Sequence, residues 1–392
     1  MTRRFIIALM SMLPIAAGAD TFDEILSEVM YNNLTVRSEN ARAEAQVESL
    51  YGENTLNAPE VEFSRVWNTE SGGENKWSLS ISQSFDWPGV YAARREAARS
   101  ANSAMHFLRE STLLELRQET RSLLIDIIHN AQLIEMQTEL AQRMDSMEAC
   151  YKKAAEAGAE TRLDYNKTVL ERIAAHRELH SLEAERETLL SSLRILNGGK
   201  DVAEMALRLG SAYPIMPALG IIPAETIRER DPQIAAAQAS LNAAESMVKV
   251  EKRSRIPGFS VGYEHEVEGF ETFNGFSIGL TLPVWGRKHQ IKASRLEAEA
   301  ALIDAEMTLA RRMAEMDADR RQLDALRATL DEYEPVINDK ANMELLQKAL
   351  KAGQINFLTF IQEANYFIAA RRDYIDTLYE YNLTLSRLNR YN

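Results

Sequence analysis

The stretch Trp77–Gly89, WSLSISQSFDWPG, decides the fold. Odd positions Trp77, Leu79, Ile81, Phe85 and Trp87 are apolar or aromatic, with Gln83 the exception. Even positions Ser78, Ser80, Ser82, Ser84 and Asp86 are polar. Strict alternation marks a strand with one apolar and one wet face. A transmembrane β-strand needs about 9–11 residues and carries aromatic girdles at both interfaces, and the segment has that length with aromatics at both ends. Pro88-Gly89 breaks the strand, and a long helical pattern follows at once. A half-buried strand of a soluble sheet would read the same way from this segment alone, so the decision rests on its neighbours.

Upstream, Val61, Phe63 and Trp67 alternate with Glu62, Ser64 and Val66, which predicts a weaker strand at about 59–68. Asn68–Lys76, NTESGGENK, is a polar loop suited to joining the two strands in a hairpin. Before them, Asp20–Leu56 reads as helical, with Ala41, Ala43, Ala45 and Val47 as a small-residue packing surface. Downstream, Val90 to about Glu148 holds no Gly or Pro. A helix of that length extends about 85–90 Å, and such runs point to coiled-coil packing. Gly158 marks a break, Thr161 can cap a helix running to about Asn197, and the two form an antiparallel hairpin at about 90–197.

After a Gly- and Pro-rich connector at 198–232 the chain starts again. At an offset of 198, Ala41 meets Ala239, Ala45 meets Ala243 and Pro59 meets Pro257. At 197, Ile81 meets Ile278, Phe85 meets Leu282 and Gly89 meets Gly286. At 195, Ala157-Gly158 meets Ala352-Gly353 and Leu163 meets Leu358. The expected organisation is a first repeat at 20–197 and a second at 233–392. The second repeat has strands at about 257–267 and 275–285 and a helical hairpin at about 288–390.

Residues 1–19 read as a signal peptide, with Arg3 and Arg4, an apolar core Phe5–Ile15 and the small residues Ala17-Gly18-Ala19 before Asp20. Cys150 is the only cysteine, so no intrachain disulfide is possible despite export. Removal of Arg3 and Arg4 takes the net charge from -13 to -15, which argues against nucleic acid as a partner. No later stretch has the run of about 18 apolar residues a membrane helix needs, so a membrane location requires a closed barrel.

Four strands cannot close one, since the smallest membrane barrels have about eight. An open sheet in lipid leaves unpaired edges, each unmade hydrogen bond costing several kcal/mol. Sharing strands among copies removes the edges, and three chains give twelve strands; two or four copies remain open. The fold class expected is therefore mostly α with a small β part. The competing reading is a soluble periplasmic coiled-coil scaffold or tether whose strands form a small sheet. An enzyme is disfavoured because no catalytic constellation converges.

Several of these features together carry a family resemblance. They are the leader, the duplication, the strand-ending Trp87-Pro88-Gly89 and Pro283-Val284-Trp285-Gly286, and the Ala-x-x-x-Gly turn before each returning helix. Asp231-Pro232 before an Ala-rich helix and Arg255-Ile256-Pro257 belong to the same set. In their order and spacing they resemble the TolC family of outer-membrane efflux proteins, and the compact length looks more like its heavy-metal and cation branch. The resemblance implies a homotrimer with an α-helical barrel in the periplasm and a shared 12-stranded transmembrane β-barrel in outer-membrane lipid. It also implies a periplasmic adaptor and an inner-membrane pump of the resistance-nodulation-division type as partners, with no cofactor.

The same resemblance places a pore constriction at the starts of the returning helices. The corresponding residues are Glu160, Arg162 and Asp164 in the first hairpin, and Gln354, Asn356, Thr359, Gln362 and Glu363 in the second. The family's better-known aspartates are replaced by Thr359 and Gln362, which puts an acidic ring at the second hairpin in doubt. Gly158 and Gly353 are candidates for the tip turns and for adaptor docking. His176 and His180 are spaced to share a metal, but no third ligand is evident and they read as solvent-facing. Met105, Met136, Met144, Met147 and Met307 read as helix packing rather than a thioether path.

Overall fold

The computed structural model describes residues 14–52, 54–69, 73–216, 224–283, 287–337 and 341–391. Most of the expected leader and all of Val284-Trp285-Gly286 lie outside them. The elements are α1 (Pro14–Asn32), α2 (Leu34–Gly52), β1 (Glu60–Val66), β2 (Lys76–Phe85), α3 (Pro88–Glu156), α4 (Arg162–Leu196) and α5 (Ala203–Leu207). Then come α6 (Ala224–Arg230), α7 (Pro232–Arg253), β3 (Gly258–Glu268), β4 (Glu271–Thr281), α8 (Arg287–Ile337), α9 (Ala341–Lys351) and α10 (Phe357–Leu388). No described helix is long and apolar enough to cross a membrane.

Two compact units are built from these elements. One comprises Met1–Arg37, Thr112–Pro223 and Met313–Asn392, and the other Ser38–Ser111 and Ala224–Arg312. Each unit draws on both sequence repeats, and the boundaries fall inside α2, α3 and α8.

The second of these units holds the sheet, antiparallel in the order β1-β2-β3-β4. Its register separates a mainly apolar face, which also carries Arg65, Gln83, His265, Thr272 and Asn274, from a mainly polar one, which also carries Val66 and Phe273. One face presents Val61, Phe63, Trp77, Leu79, Ile81, Phe85, Phe259, Val261, Tyr263, Phe276, Ile278 and Leu280. The other presents Ser78, Ser80, Ser82, Ser84, Ser260, Ser277 and six glutamates. Gly262 sits where strands approach closely: a Cβ there would lie 2.6 Å from Ser277 Oγ. The apolar face is not covered, with Phe276 89% and Ile278 82% exposed. β1 and β4 are open edges. In the same unit Ala93 and Ala97 of α3 pack on Val250 of α7. Small residues let these helices approach closely enough for Ser100 Oγ and Ser246 Oγ to hydrogen-bond at 3.1 Å. Asp231 caps α7 by accepting from Gln233 N at 2.8 Å. It also pairs with Arg312 at 2.8 Å, both side chains being buried.

The other unit is held by a core of Phe22, Ile25 and Val29 from α1, Leu124, Ile127 and Ile128 from α3, Leu190 and Leu193 from α4, and the α5 region. Toward α10 the packing continues through Leu133, Met136, Leu182 and Ile375. Polar ties accompany it: His129 Nε2 lies 2.8 Å from Asp376 Oδ1, and Tyr379 donates to Asp126 at 2.8 Å. Arg371 pairs with Glu139 at 2.8 Å and Arg372 with Glu178 at 3.1 Å.

Three details depart from the sequence reading. The helix expected over 20–56 divides at Asn33, which is buried and accepts from Val36 N at 3.1 Å while donating to Leu196 O at 2.9 Å. Strand β4 runs 271–281 rather than 275–285, because Gly269 at φ 60° makes a tight turn directly after β3. Ala41 and Ala45 of the supposed packing surface are exposed in the single chain, whereas their counterpart Ala239 is buried.

Candidate functional site

Both helical hairpins turn in the same way. Helix α3 is closed off by Gly158, two residues past its end, at φ 75°, where Gly158 N donates to Ala155 O at 3.2 Å and Ala159 N to Ala154 O at 2.8 Å. Helix α9 is closed off by Gly353, two residues past its end, at φ 69°, where Gly353 N donates to Leu350 O at 3.0 Å and Gln354 N to Ala349 O at 2.9 Å. This is a Schellman-type ending, in which a left-handed glycine brings the last carbonyls their donors. Three residues later each returning helix is capped by a side-chain oxygen, Thr161 for α4 and Asn356 for α10.

The candidate constriction residues are placed by these caps. Asp164 N donates to Thr161 Oγ1 at 3.1 Å, and Thr161 Oγ1 donates back to Asp164 Oδ2 at 2.6 Å. Lys167 Nζ lies 3.2 Å from the other carboxylate oxygen. The Thr161 hydroxyl, then Lys167, hold the Asp164 carboxyl below the usual aspartate range. In the second tip Thr359 takes the equivalent place, with N and Oγ1 both donating to Asn356 Oδ1, at 2.8 and 3.1 Å. A neutral hydroxyl thus stands where the first tip has a charge. Glu160, Arg162, Gln354, Asn356, Gln362 and Glu363 are exposed.

The two tips share one core. Tyr151 of α3, Ala175 of α4 and Phe360, Ile361 and Ala364 of α10 are buried together, with Tyr165, Leu350 and Ile355 packed against them. Burial, with Glu160 and Asp164 nearby, pushes the Tyr151 phenol up to about 12. Sequence reasoning missed a cavity of about 830 Å³ in this unit, walled by α3, α8, α9 and α10 and lined by Met136, Tyr333, Phe360, Phe367, Arg371 and Tyr374 among others. Nothing local in the sequence signals it, because its walls come from four separated segments. In the folded chain Arg371 and Arg372 tie α10 to both arms of the first hairpin, through Glu139 of α3 and Glu178 of α4.

The remaining candidates separate. His176 Nε2 lies 2.9 Å from Asp145 Oδ1 and His180 Nδ1 3.2 Å from Glu183 Oε2, so each ring already has its own carboxylate. Among the described residues no group of three or more His, Cys, Asp or Glu is placed to hold a metal ion. Met136 and Met144 are buried in the helix cores, while Met307 is 60% exposed.

No protein-family profile matches the chain. The cobalt-zinc-cadmium resistance protein CzcC of Cupriavidus metallidurans is 21% identical over 96% of this chain and 93% of its own length. A membrane protein from Pseudomonas aeruginosa superimposes with a TM-score of 0.80 at 17% identity, covering 95% of this chain and 90% of that one. The outer-membrane channel OprN superimposes with a TM-score of 0.79 at 15% identity, covering 96% and 91%. The resemblance read from the sequence is therefore borne out, and the chain carries the fold of the TolC-family outer-membrane channels.

Proposed function

We propose that this chain is the exit duct of a tripartite efflux system. Three copies pool twelve strands into one barrel in the outer membrane, and their helices form a passive conduit across the periplasm. A periplasmic adaptor meets the hairpin tips, and an inner-membrane pump of the resistance-nodulation-division type supplies the energy. The observation that carries this reading is the sheet: one mainly apolar face left open, one face mainly of serines, glycines and carboxylates, and two unpaired edges. Lipid requires the first, a water-filled bore the second, and the edges require closure by further strands. From Trp77 to Phe85 the apolar face spans roughly 26 Å along the strand, matching an outer-membrane apolar band of about 25 Å. A soluble scaffold would leave that face in water, an exposed apolar patch with nothing to offset its cost.

Cations are the substrate class favoured here, on the similarity to a cobalt-zinc-cadmium resistance protein and the carboxylates of the polar face. Fractionation and planar-bilayer recording test the proposal together. The expected result is recovery with outer membranes, detergent-dependent extraction and small cation-preferring channels. A monodisperse single-copy protein recovered from the periplasm without detergent would overturn it.

A further inference from the structure

The apolar face of the sheet carries a single permanent charge, Arg65. All six strand carboxylates, Glu60, Glu62, Glu264, Glu266, Glu268 and Glu271, lie on the opposite face. Lys76 lies there too and pairs with Glu266. Arg65 is exposed and stands opposite Trp77, at the end of the sheet where the loops join β1 to β2 and β3 to β4. Its guanidinium carbon is 5.8 Å from the centre of the Trp67 ring, and among the described residues no carboxylate pairs with it.

Its neighbourhood has the character of a headgroup layer. Trp77 lies 5.4 Å from the His265 ring, and Tyr263 OH and His265 Nδ1 both contact Asn274 Oδ1, at 2.7 and 2.8 Å. The other end of the same face has Phe85, Phe259, Val261, Ile278 and Leu280, with Gln83 its one polar side chain and no charge. A cation on a lipid-facing surface is tolerated where its stem can lie along hydrocarbon and its head can reach the interface. A second copy does not supply the missing anion from its edge strand, since the β4 residues on this face are Thr272, Asn274, Phe276, Ile278 and Leu280.

We propose that Arg65, flanked by Trp67 and Trp77, binds the phosphate of an anionic lipid at the loop end of the barrel. This goes beyond the duct assignment but rests on its barrel. The guanidinium offers a forked donor set suited to phosphate oxygens, and the indoles seat the barrel at headgroup depth.

The test uses the full chain purified in detergent and titrated with mixed micelles. These contain either phosphatidylglycerol or phosphatidylcholine, brominated in the acyl chains, and tryptophan quenching is followed. Both lipids should quench, phosphatidylglycerol at about fivefold lower concentration, the preference expected of one cation near an anionic surface. The Arg65→Gln chain should respond to the two lipids alike. The Arg65→Lys chain should keep most of the preference and guards against a folding defect. Equal quenching of the wild-type chain by both lipids, or a preference that survives in Arg65→Gln, would overturn the phosphate assignment and leave the barrel standing. Absence of quenching by either lipid would overturn the barrel and this proposal with it.

Discussion

Thr161 and Asn356, 195 positions apart, hold the same place in two copies of one turn: each lies three residues past a left-handed glycine and caps the helix that follows. The duplication thus extends to individual hydrogen bonds. The capping residue differs between the copies, and so does the third residue after it, Asp164 in one and Thr359 in the other.

Replacing either tip glycine by alanine should destabilise the protein by about 1–2 kcal/mol, the cost of a left-handed L-residue. Nothing lies within 4 Å of the added Cβ at Gly158 or Gly353, so the cost is conformational rather than steric. Thermal unfolding of the purified protein should show Gly158→Ala and Gly353→Ala melting lower, with asparagine variants in between.

Asp164 gives a pH-dependent expectation. Its carboxyl titrates below the ordinary value of 3.8 in the folded chain. The stabilisation is therefore fully present above the unfolded carboxyl's range and is lost as pH falls through the lower, folded value. Asp164→Asn should melt below wild type at pH 7, and the gap should close at pH values under the folded carboxyl's own titration. If the tip lines the conduit, the same variant should also weaken cation preference in planar bilayers.

Asp126 works in the opposite sense. Burial is the main cause raising its carboxyl, and the Tyr379 hydroxyl only partly offsets it. A raised carboxyl contributes fully below the unfolded value and loses that contribution as pH rises through the folded one. Asp126→Asn should therefore match or exceed wild-type stability at pH 7, and the difference should shrink on acidification to pH 4. Thermal melts at the two pH values decide it.

The buried Arg312–Asp231 pair should be unforgiving of half-removal. Arg312→Met leaves a buried carboxylate at the α7 cap without its cation and should cost about 3–5 kcal/mol. Arg312→Met combined with Asp231→Asn should cost less than the sum of the two single changes. Chemical denaturation of the four proteins closes that cycle.

Adjacent strand residues should behave oppositely. Ile81→Lys puts a charge on the apolar face and should cost about 2–4 kcal/mol of insertion free energy near mid-membrane. Ser80→Lys faces Glu62 and Glu264 across the neighbouring strands and should be tolerated. Assembly into heat-resistant oligomers on electrophoresis distinguishes them.

The strands, the hairpins and the repeat were legible because their signals are local or periodic. Ser78, Ser80, Ser82 and Ser84 alternate with apolar residues along the strand, Gln83 excepted, and a helix as long as the 69-residue α3 leaves a run without glycine. Tertiary partners were not legible. The break at Asn33 depends on a carbonyl 163 residues away, and β4 begins early because Gly269 turns the chain at once. Asp164 could be placed at the tip from sequence, but its engagement with Thr161 and Lys167 depends on side-chain geometry. The large cavity needs four segments folded together before it exists.

The open edges of the four-stranded sheet carry a genetic consequence. If copies pool their strands as proposed, a protomer relies on its siblings to finish its own fold, and the whole ring is exposed to the fault of any one member. Co-expression of an Ile81→Lys chain with the normal one should therefore act dominantly. Most mixed rings would contain at least one defective subunit, and the loss of export should exceed the share of mutant protein made.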